Sequence, residues 1–429
     1  MASRRRSSSS TGSRQPIPLL SRHLAYKSDA GRKAVKSLNV LSAFILSLTA
    51  TLAAGPVLAR DTAAPSGTAH GGIAHGGAPK VEPVADLPAG ATALPGHIGG
   101  RVLAEGTEGG FRRQWPGTYV ETRFVGTSAL FRVGPGDVSL RISVDGGAPA
   151  ALVKPKPGVY RVTGLKAGAH TLRVDTASET QAGPSAFGGF YAPAGTKPLP
   201  IPARARQIEF IGDSHTVGYG NIADQAAFQQ TCTTAEVWDT TDTSQGIAPR
   251  LAGRYGADYQ VNAISGRGIV RNYNGFAADT LPQAYPYTLF DHAARYDDPA
   301  WHPQVIVIAL GTNDFTTPLH AGEKWATRDA LHADYEATYV DFVKALRAHN
   351  PQAYFLLWAT DMADGEIAAE VAKVADKLHA AGENRLAFLP MHDIAFSGCH
   401  SHPGLADDAK IAKALGDYMD AHPEVWQAK

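Results

Sequence analysis

The chain has 429 residues, with 40 Lys and Arg balanced by 40 Asp and Glu, 44% hydrophobic residues and two cysteines. This length allows two or three domains and a sizeable buried core. A formal net charge of zero argues against a protein that binds nucleic acid through bulk electrostatics, because such proteins carry a basic stripe.

The first 59 residues have the pattern of an export signal. A region rich in Arg, Lys and Ser extends to about Lys36 and precedes an apolar run over residues 40–48 that ends near Ala59. This order is typical of signal peptides, and the run is too short to cross a bilayer core of about 30 Å comfortably. We therefore expect a secreted or periplasmic protein with no stable membrane association. A retained transmembrane anchor is the alternative.

Residues 60–94 have the composition of a linker, with Gly, Ala, Pro and His and no periodicity. His70 and His75 in this segment could bind a metal ion weakly. A solvated linker fits the composition better, so no metal site is predicted there.

Residues 95–200 predict a β-sandwich domain of the jelly-roll type. Alternating apolar and polar runs at 119–125, 129–133, 138–144 and 170–174 are separated by Gly, Pro and Asp. Asp145-Gly146-Gly147 is a hairpin signal. Core packing is the default for aromatic side chains in a sandwich, but four of them could instead form a sugar-binding platform: Trp115, Tyr160, Phe187 and Tyr191.

Residues 201–429 alternate between strand and helix patterns. Continuous apolar runs at 305–310, 353–358 and 386–389 are typical of buried parallel strands. Between them, apolar residues recur at helical spacing over 335–346 and 367–378, and Asn350-Pro351 and Gly382 are credible helix stops. The alternation predicts a mostly parallel sheet with helices on both faces.

A candidate nucleophile follows the first strand of this region. Gly212-Asp213-Ser214 comes directly after the apolar run at 208–211, and open α/β sheets bind ligands in the crevice beyond the carboxyl ends of their strands. Chance supplies such a triplet in about one chain of this length in ten. The interpretation therefore depends on other segments.

Three further segments are expected at the same edge of the sheet. Gly266 lies in a glycine-containing loop where a backbone amide can approach a substrate closely, although a plain turn is the alternative. Asn313 follows the strand ending at Leu310, and an Asn-Asp turn that caps the next helix is equally compatible. His402 lies in a loop before the last helix, with His400 two residues earlier.

Together these residues supply what acyl transfer requires: a nucleophile, a base and donors for the developing oxyanion. Ser214 and His402 are the predicted nucleophile and base, and the predicted donors are the amides of Ser214 and Gly266 and the Asn313 side chain. The missing Gly-x-Ser-x-Gly elbow argues against the usual α/β-hydrolase arrangement. A zinc site at His400 and His402 lacks a third ligand. We expect neither a metal ion nor a cofactor.

The four segments, in this order, resemble the four blocks of the SGNH (GDSL-like) hydrolase superfamily. Residues 95–425 are more narrowly similar to carbohydrate esterase family 2, and the motifs that carry this similarity are 206–214, 218–221, 265–273, 124–127 and 144–146. The resemblance implies a jelly-roll domain followed by a flavodoxin-like three-layer α/β/α hydrolase domain. It also implies deacetylation of plant cell-wall polysaccharides.

One departure from the family concerns the group that orients the base. Members often carry an Asp two or three residues before the histidine, where this chain has Cys399 and His400. A backbone carbonyl or Asp393 could replace it, and a Ser214–His402 dyad is the preferred interpretation.

The two cysteines, Cys232 and Cys399, could form one disulfide in an exported protein or remain as two buried thiols. The resemblance favours the bridge, because the family carries cysteines at similar positions.

The predicted function is a secreted esterase that removes O-acetyl groups from hemicellulose, such as xylan or mannan, or from its oligosaccharides. The catalytic path would pass through an acyl-serine intermediate. A GDSL lipase or arylesterase of broader specificity is one alternative, and a catalytically silent polysaccharide-binding protein is another.

Overall fold

The computed structural model describes residues 77–106, 109–223 and 231–427. The predicted export signal, His70 and His75 lie outside these residues. Within the described ranges, no helix is long and apolar enough to cross a membrane.

The amino-terminal domain consists of two antiparallel sheets. In chain order the strands are β1 (Lys80–Val84), β2 (Thr92–Leu94), β3 (His97–Gly99), β4 (Leu103–Ala104), β5 (Phe111–Arg113), β6 (Tyr119–Gly126), β7 (Ala129–Val133), β8 (Ser139–Val144), β9 (Ala150–Val153), β10 (Gly158–Thr163), β11 (Gly168–Thr176), β12 (Ser185–Ala192) and β13 (Lys197–Pro198). One sheet has the order β1-β10-β7-β12-β5-β4 with β2 also on β12, and the other has the order β13-β6-β11-β8-β9 with β3 also on β6.

The core of this domain lies between the two sheets, where Phe131 and Phe187 of the first sheet pack with Phe124 and Leu172 of the second. The four aromatic residues considered as a sugar platform are all buried: Trp115, Tyr160, Phe187 and Tyr191. Their burial supports core packing and excludes the platform.

The predicted linker boundary at residue 94 was wrong. Strand β1 pairs with β10 and strand β2 with β12, so the domain already includes Lys80. Pro83 lies in β1, which is an edge strand. Edge positions tolerate proline because one side of the strand needs no ladder donor, and this proline concealed the strand in the sequence pattern.

The carboxyl-terminal domain is a parallel sheet between helices, with the strands β14 (Gln207–Gly212), β15 (Asp258–Ala263), β16 (Val305–Ala309), β17 (Tyr354–Thr360) and β18 (Leu386–Met391). Their order in the sheet is β15-β14-β16-β17-β18, which is the flavodoxin-like order that was predicted. The described α-helices are α1 (Ser214–Val217), α2 (Thr234–Thr240), α3 (Ile247–Tyr255), α4 (Leu281–Ala284), α5 (Thr312–Phe315), α6 (Arg328–His349), α7 (Glu366–Ala380) and α8 (Leu405–Ala421). The described 3₁₀ turns are Thr243–Gln245, Tyr273–Gly275, Cys399–Ser401 and Pro423–Trp426.

Alternate residues of each strand enter opposite hydrophobic layers. Ile306 and Ile308 pack with the apolar faces of α6 and α7, while Val305 and Val307 pack with those of α3 and α8. This is the period-two pattern of a sheet covered on both faces. It confirms the predicted three-layer arrangement.

The two domains are joined by buried ion pairs. Arg101 of the β domain binds Glu209 on β14 at 3.1 Å, and Arg141 on β8 binds Asp242 at 2.8 Å. Removing one partner of such a pair leaves the other charge buried without a counter-charge. Each domain therefore supplies counter-charges for buried groups of the other.

Candidate active site

The site lies where three neighbouring strands end at the same level. Gly212 at the end of β14 is paired with Ala263 on β15 and with Ala309 on β16. The loops that follow carry Ser214, Gly266 and Asn313 respectively. The register of the sheet therefore places the three predicted segments together at the carboxyl ends of the strands, as expected for an open parallel sheet.

Ser214 begins a short helix that Asp213 caps. The Asp213 carboxylate accepts the His215 amide at 3.0 Å, and the helix ends after one turn at Gly218, whose φ is 75°. A Cβ on Gly212 would lie 2.0 Å from Thr216 Oγ1. Only glycine fits before this tight turn, which places the Ser214 side chain at the end of the strand.

Ser214 and His402 are hydrogen bonded. Ser214 Oγ lies 2.8 Å from His402 Nε2, and His402 Nδ1 lies 2.9 Å from the Cys399 carbonyl and 3.2 Å from the His400 carbonyl. Because a carbonyl oxygen can only accept, Nδ1 carries the proton of the neutral ring. Nε2 is then free to accept the hydroxyl hydrogen of Ser214.

Asp393 does not orient His402, so that prediction was wrong. The Asp393 side chain is 94% exposed and lies 4.0 Å from Lys410. Backbone carbonyls occupy the place of the missing acid beside the His402 ring. The structure contains the Ser214–His402 dyad that was the preferred interpretation, and the orienting groups, which the sequence left open, are the carbonyls of Cys399 and His400.

The surroundings of His402 keep its imidazole neutral. Burial is the largest cause that lowers its pKa, to about 3, and the neighbouring His215 ring adds a repulsive contribution. The Tyr219 ring lies 4.5 Å from the His402 ring, centroid to centroid. A neutral imidazole at ordinary pH can accept a proton at once, as a general base must.

Two backbone amides at this edge are available to an oxyanion. The amides of Ser214 and Gly266 make no hydrogen bond to other groups among the described residues. Gly266 has a φ of 81°, a conformation that glycine adopts without strain. Unpaired amides at a strand edge are the donors that a developing negative charge requires.

Asn313 lies at the same edge, but its amide hydrogens are engaged. Its Nδ2 donates to the Arg267 carbonyl at 2.8 Å and to the Asp213 carboxylate at 3.2 Å. Donation to an oxyanion therefore requires the longer bond, to Asp213, to be exchanged.

Asp314, the residue after Asn313, anchors the loop that follows Gly266. Its carboxylate accepts three successive amides, from Ile269 at 3.0 Å and from Val270 and Arg271 at 2.9 Å. Burial raises the pKa of Asp314 to about 6, against the opposing effect of these amides. Sequence reasoning gave Asp314 no role beyond a possible Asn-Asp turn and missed this link between two neighbouring loops.

The loop that carries His402 is fixed by a disulfide between Cys232 and Cys399, which are 167 positions apart. This agrees with the predicted bridge. His400 Nε2 accepts the Cys232 amide at 3.1 Å, and its other ring nitrogen lies 3.1 Å from the Tyr219 hydroxyl. Both ring nitrogens of His400 therefore make contacts that hold the loop that carries His402. Within the described part of the chain, the structure contains no cluster of three or more His, Cys, Asp or Glu side chains that could hold a metal ion.

Sequence reasoning also missed contributions of the β domain to this edge. A cavity of about 180 Å³ is lined by Tyr219 and Trp238 together with Glu179 and Gln181 of the β domain. The Lys154 ammonium lies 4.2 Å from the centre of the Trp238 ring. A tryptophan among mostly polar and acidic residues was the available sequence signal for Trp238.

Comparison with known proteins agrees with this architecture. Residues 98–202 match the family model of the carbohydrate esterase 2 N-terminal domain, and residues 210–424 match that of the GDSL-like lipase/acylhydrolase family. An acetylxylan esterase / glucomannan deacetylase of Cellvibrio japonicus (strain Ueda107) is 43% identical over 337 residues, which are 78% of this chain and 92% of the relative.

Solved structures give the same assignment. One carbohydrate esterase, described as having an active site with divergent catalytic and non-catalytic binding functions, is 42% identical, with a TM-score of 0.73 over 78% of this chain and 100% of its own. A family two carbohydrate esterase from Clostridium thermocellum, solved with cellohexaose, is 26% identical, with a TM-score of 0.68 over 77% of this chain and 100% of its own.

A flavodoxin-like sheet with a Ser214–His402 pair at its edge defines a GDSL-like serine ester hydrolase. The β domain that precedes it matches the carbohydrate esterase 2 N-terminal model, which indicates one family within this class of hydrolases. The chain belongs to carbohydrate esterase family 2.

Proposed function

We propose that this protein is a secreted esterase that removes O-acetyl groups from hemicellulose, such as xylan or glucomannan, or from its oligosaccharides. The observation that carries the proposal is the 2.8 Å contact between Ser214 Oγ and His402 Nε2, beside the unpaired amides of Ser214 and Gly266. The relative with 43% identity is named an acetylxylan esterase / glucomannan deacetylase, which supports this class of substrate.

In the proposed mechanism Ser214 is the nucleophile and His402 the base. As Ser214 Oγ attacks the acetyl carbonyl carbon, its proton moves to His402 Nε2. The carbonyl oxygen becomes an oxyanion that the amides of Ser214 and Gly266 bind, joined by the Asn313 side chain once it releases Asp213. His402 then protonates the departing sugar oxygen, which leaves an acetyl group on Ser214.

Deacylation repeats these steps with water as the nucleophile. His402 Nε2 removes a proton from the water, the water oxygen attacks the acetyl carbon, and Ser214 leaves with the returned proton. The positive charge that forms on the ring in each half-reaction faces the carbonyl oxygens of Cys399 and His400. Their dipoles perform the stabilising role that a carboxylate has in a triad.

The cavity beside Tyr219 is the proposed site for the sugar that carries the acetyl group. Sugars commonly pack a ring face against an aromatic side chain, and Trp238 and Tyr219 border this space together with the polar Glu179 and Gln181. The Clostridium thermocellum relative was solved in complex with cellohexaose, which supports an oligosaccharide as the class of ligand.

The test is acetate release from acetylated xylan and acetylated glucomannan by the purified protein. The wild-type protein is expected to release acetate from at least one polymer and to prefer nitrophenyl acetate over esters of eight carbons or more. Ser214→Ala is expected to lose at least about 10³-fold in kcat. Undiminished acetate release by Ser214→Ala would refute the mechanism, and a preference for long acyl chains would favour a lipase.

Export is part of the proposal and rests on the pattern of residues 1–59. Activity in the medium or periplasm of cells that express the full chain would support it. Activity confined to the cytoplasm would contradict it.

A further inference from the structure

The loop that carries Gly266 is held by two side chains of the β domain. The Glu179 carboxylate accepts the Ser265 amide at 2.9 Å, and Gln181 Nε2 donates to the Ser265 carbonyl at 3.0 Å. Both polar groups of the Ser265 backbone are thus bound by residues that precede it by more than eighty positions.

The Gln181 contact has a consequence for Gly266 that follows from the geometry of the peptide unit. The Ser265 carbonyl and the Gly266 amide belong to one planar trans peptide, in which the C=O and N–H bonds point in opposite directions. Holding the carbonyl on the side of Gln181 therefore holds the Gly266 N–H on the opposite side. The Gly266 amide is the one without a partner among the described residues.

The next two carbonyls are also bound, but by the hydrolase domain. The Gly266 carbonyl accepts the Tyr273 amide at 2.9 Å, and the Arg267 carbonyl accepts Asn313 Nδ2 at 2.8 Å. Of these three carbonyls, the Ser265 carbonyl is the one that a β-domain side chain binds. A rotation of that single peptide would turn a carbonyl oxygen toward the site of the oxyanion.

The segment that carries Glu179 and Gln181 is itself rigidly supported. The Ser178 carbonyl accepts Arg113 Nη1 at 2.9 Å, and the Thr180 carbonyl accepts Gln114 Nε2 at 3.1 Å. On the hydrolase side, the Ala177 carbonyl accepts the Thr243 amide at 3.0 Å. Bonds on both sides keep the segment at a defined distance from the Ser265 loop.

We propose that Glu179 and Gln181 are positioning residues that keep the Gly266 amide directed at the oxyanion, so that the β domain completes the catalytic site of the neighbouring domain. The inference rests on the proposed ester hydrolysis at Ser214. It assigns the β domain a role in the chemical step, in addition to any contact with the polysaccharide.

The test compares Gln181→Ala and Gln181→Glu with wild type, using nitrophenyl acetate as the substrate. The second variant keeps nearly the same size but has no N–H to offer at neutral pH, so it separates donation from packing. Both variants are expected to lose about 10–100-fold in kcat, because a small misplacement of a catalytic group costs that much. The KM is expected to change by less than about threefold, since the substrate contacts remain.

Glu179 is tested by a pair of variants. Glu179→Ala removes the acceptor of the Ser265 amide and is expected to lose about tenfold in kcat, while Glu179→Gln keeps an acceptor oxygen and is expected to stay within about threefold of wild type. Gln352→Ala is the matched control, because Gln352 also donates to a backbone carbonyl, that of Pro303, at 3.3 Å. This contact lies just before β17, at the end of the strands opposite to the catalytic site. The control variant is expected to leave kcat unchanged.

Two further measurements distinguish a loss of positioning at Gly266 from a general loss of folded protein. Rates are expressed per active site titrated with an organophosphonate, so that misfolded molecules are not counted. Affinity for phenylboronic acid, whose serine adduct carries a tetrahedral anion, is expected to fall in parallel with kcat for Gln181→Ala and Gln181→Glu.

If both Gln181 variants kept kcat and boronate affinity within twofold of wild type, the inference would be overturned. A parallel Ser214→Ala sample keeps this outcome distinct from failure of the proposed function. An inactive Ser214→Ala with fully active Gln181 variants refutes only the positioning role, while an active Ser214→Ala refutes the esterase mechanism itself.

Discussion

The carbonyl oxygen of Cys399 lies 2.9 Å from Nδ1 of His402, and the same cysteine is bonded through its sulfur to Cys232. A main-chain atom thus performs the orienting role that a carboxylate has in a triad. Its position depends on the backbone of one short loop, which the disulfide ties to the segment before α2.

We expect Cys232→Ser to lower both stability and activity. Loss of a cross-link that closes a 167-residue separation should cost about 3–5 kcal/mol in the free energy of unfolding. The value of kcat should also fall, since the Cys399 carbonyl is no longer fixed. Denaturant unfolding and steady-state kinetics measure the two effects, and a Cys232→Ser/Cys399→Ser protein with wild-type stability would contradict the prediction.

Asp393 is expected to be dispensable. Its carboxylate is exposed, and the His402 ring nitrogens bind Cys399 and Ser214 instead, so Asp393→Asn should keep kcat/KM within about twofold of wild type, as surface substitutions usually do. His402→Ala should lose about 10²–10⁴-fold, the usual contribution of a general base. A loss beyond tenfold in Asp393→Asn would restore the acid that the structure excludes.

The pH profile of kcat/KM should extend far into the acid range. Catalysis needs neutral His402, and activity is lost as the pH falls through the pKa of the free enzyme's base. Burial lowers that pKa to about 3, so no acid limb is expected near 6.5. Initial rates taken immediately after a pH jump keep the titration separate from slow unfolding, and a half-maximal point between pH 6 and 7 would disprove the depressed pKa.

The pair between Arg101 and Glu209 should show strong coupling across the domain boundary. Arg101→Met leaves the buried Glu209 carboxylate with Tyr285 and Asn262 as donors but without its cation. We expect this variant to lose about 3–5 kcal/mol of stability. The double variant Arg101→Met/Glu209→Gln should recover part of that loss, because no buried charge remains. Additive losses in the cycle, measured by urea unfolding, would rule out a direct pair.

The positions of Ser214 and Asn313 could be predicted because each follows a buried strand whose end is marked in the sequence. Gly and Asp after an apolar run stop the strand, and the carboxyl ends of parallel strands share an edge. The long helices α6 and α7 could be predicted for a similar reason, since their apolar spacing is local.

The contributions of Glu179 and Gln181 could not be predicted, because they arise from docking between domains. Each acts on Ser265, more than eighty positions away, and no local pattern marks a side chain for such a contact. Asp393 failed as a prediction for a related reason. Its short distance from His402 in the sequence says nothing about the left-handed backbone at Asp393, where φ is 54°, or about the exposure of its side chain.

The contacts between the two domains limit how such a chain can evolve. They include the buried ion pairs and the hydrogen bond from Gln181 to the Ser265 carbonyl. A β domain of different surface could not replace this one without leaving Glu209 and Asp242 uncompensated and the Gly266 peptide unsupported. Recombination at the boundary near residue 200 would therefore be selected against. The two matched family models, over residues 98–202 and 210–424, therefore cover parts of the chain that depend on each other's side chains.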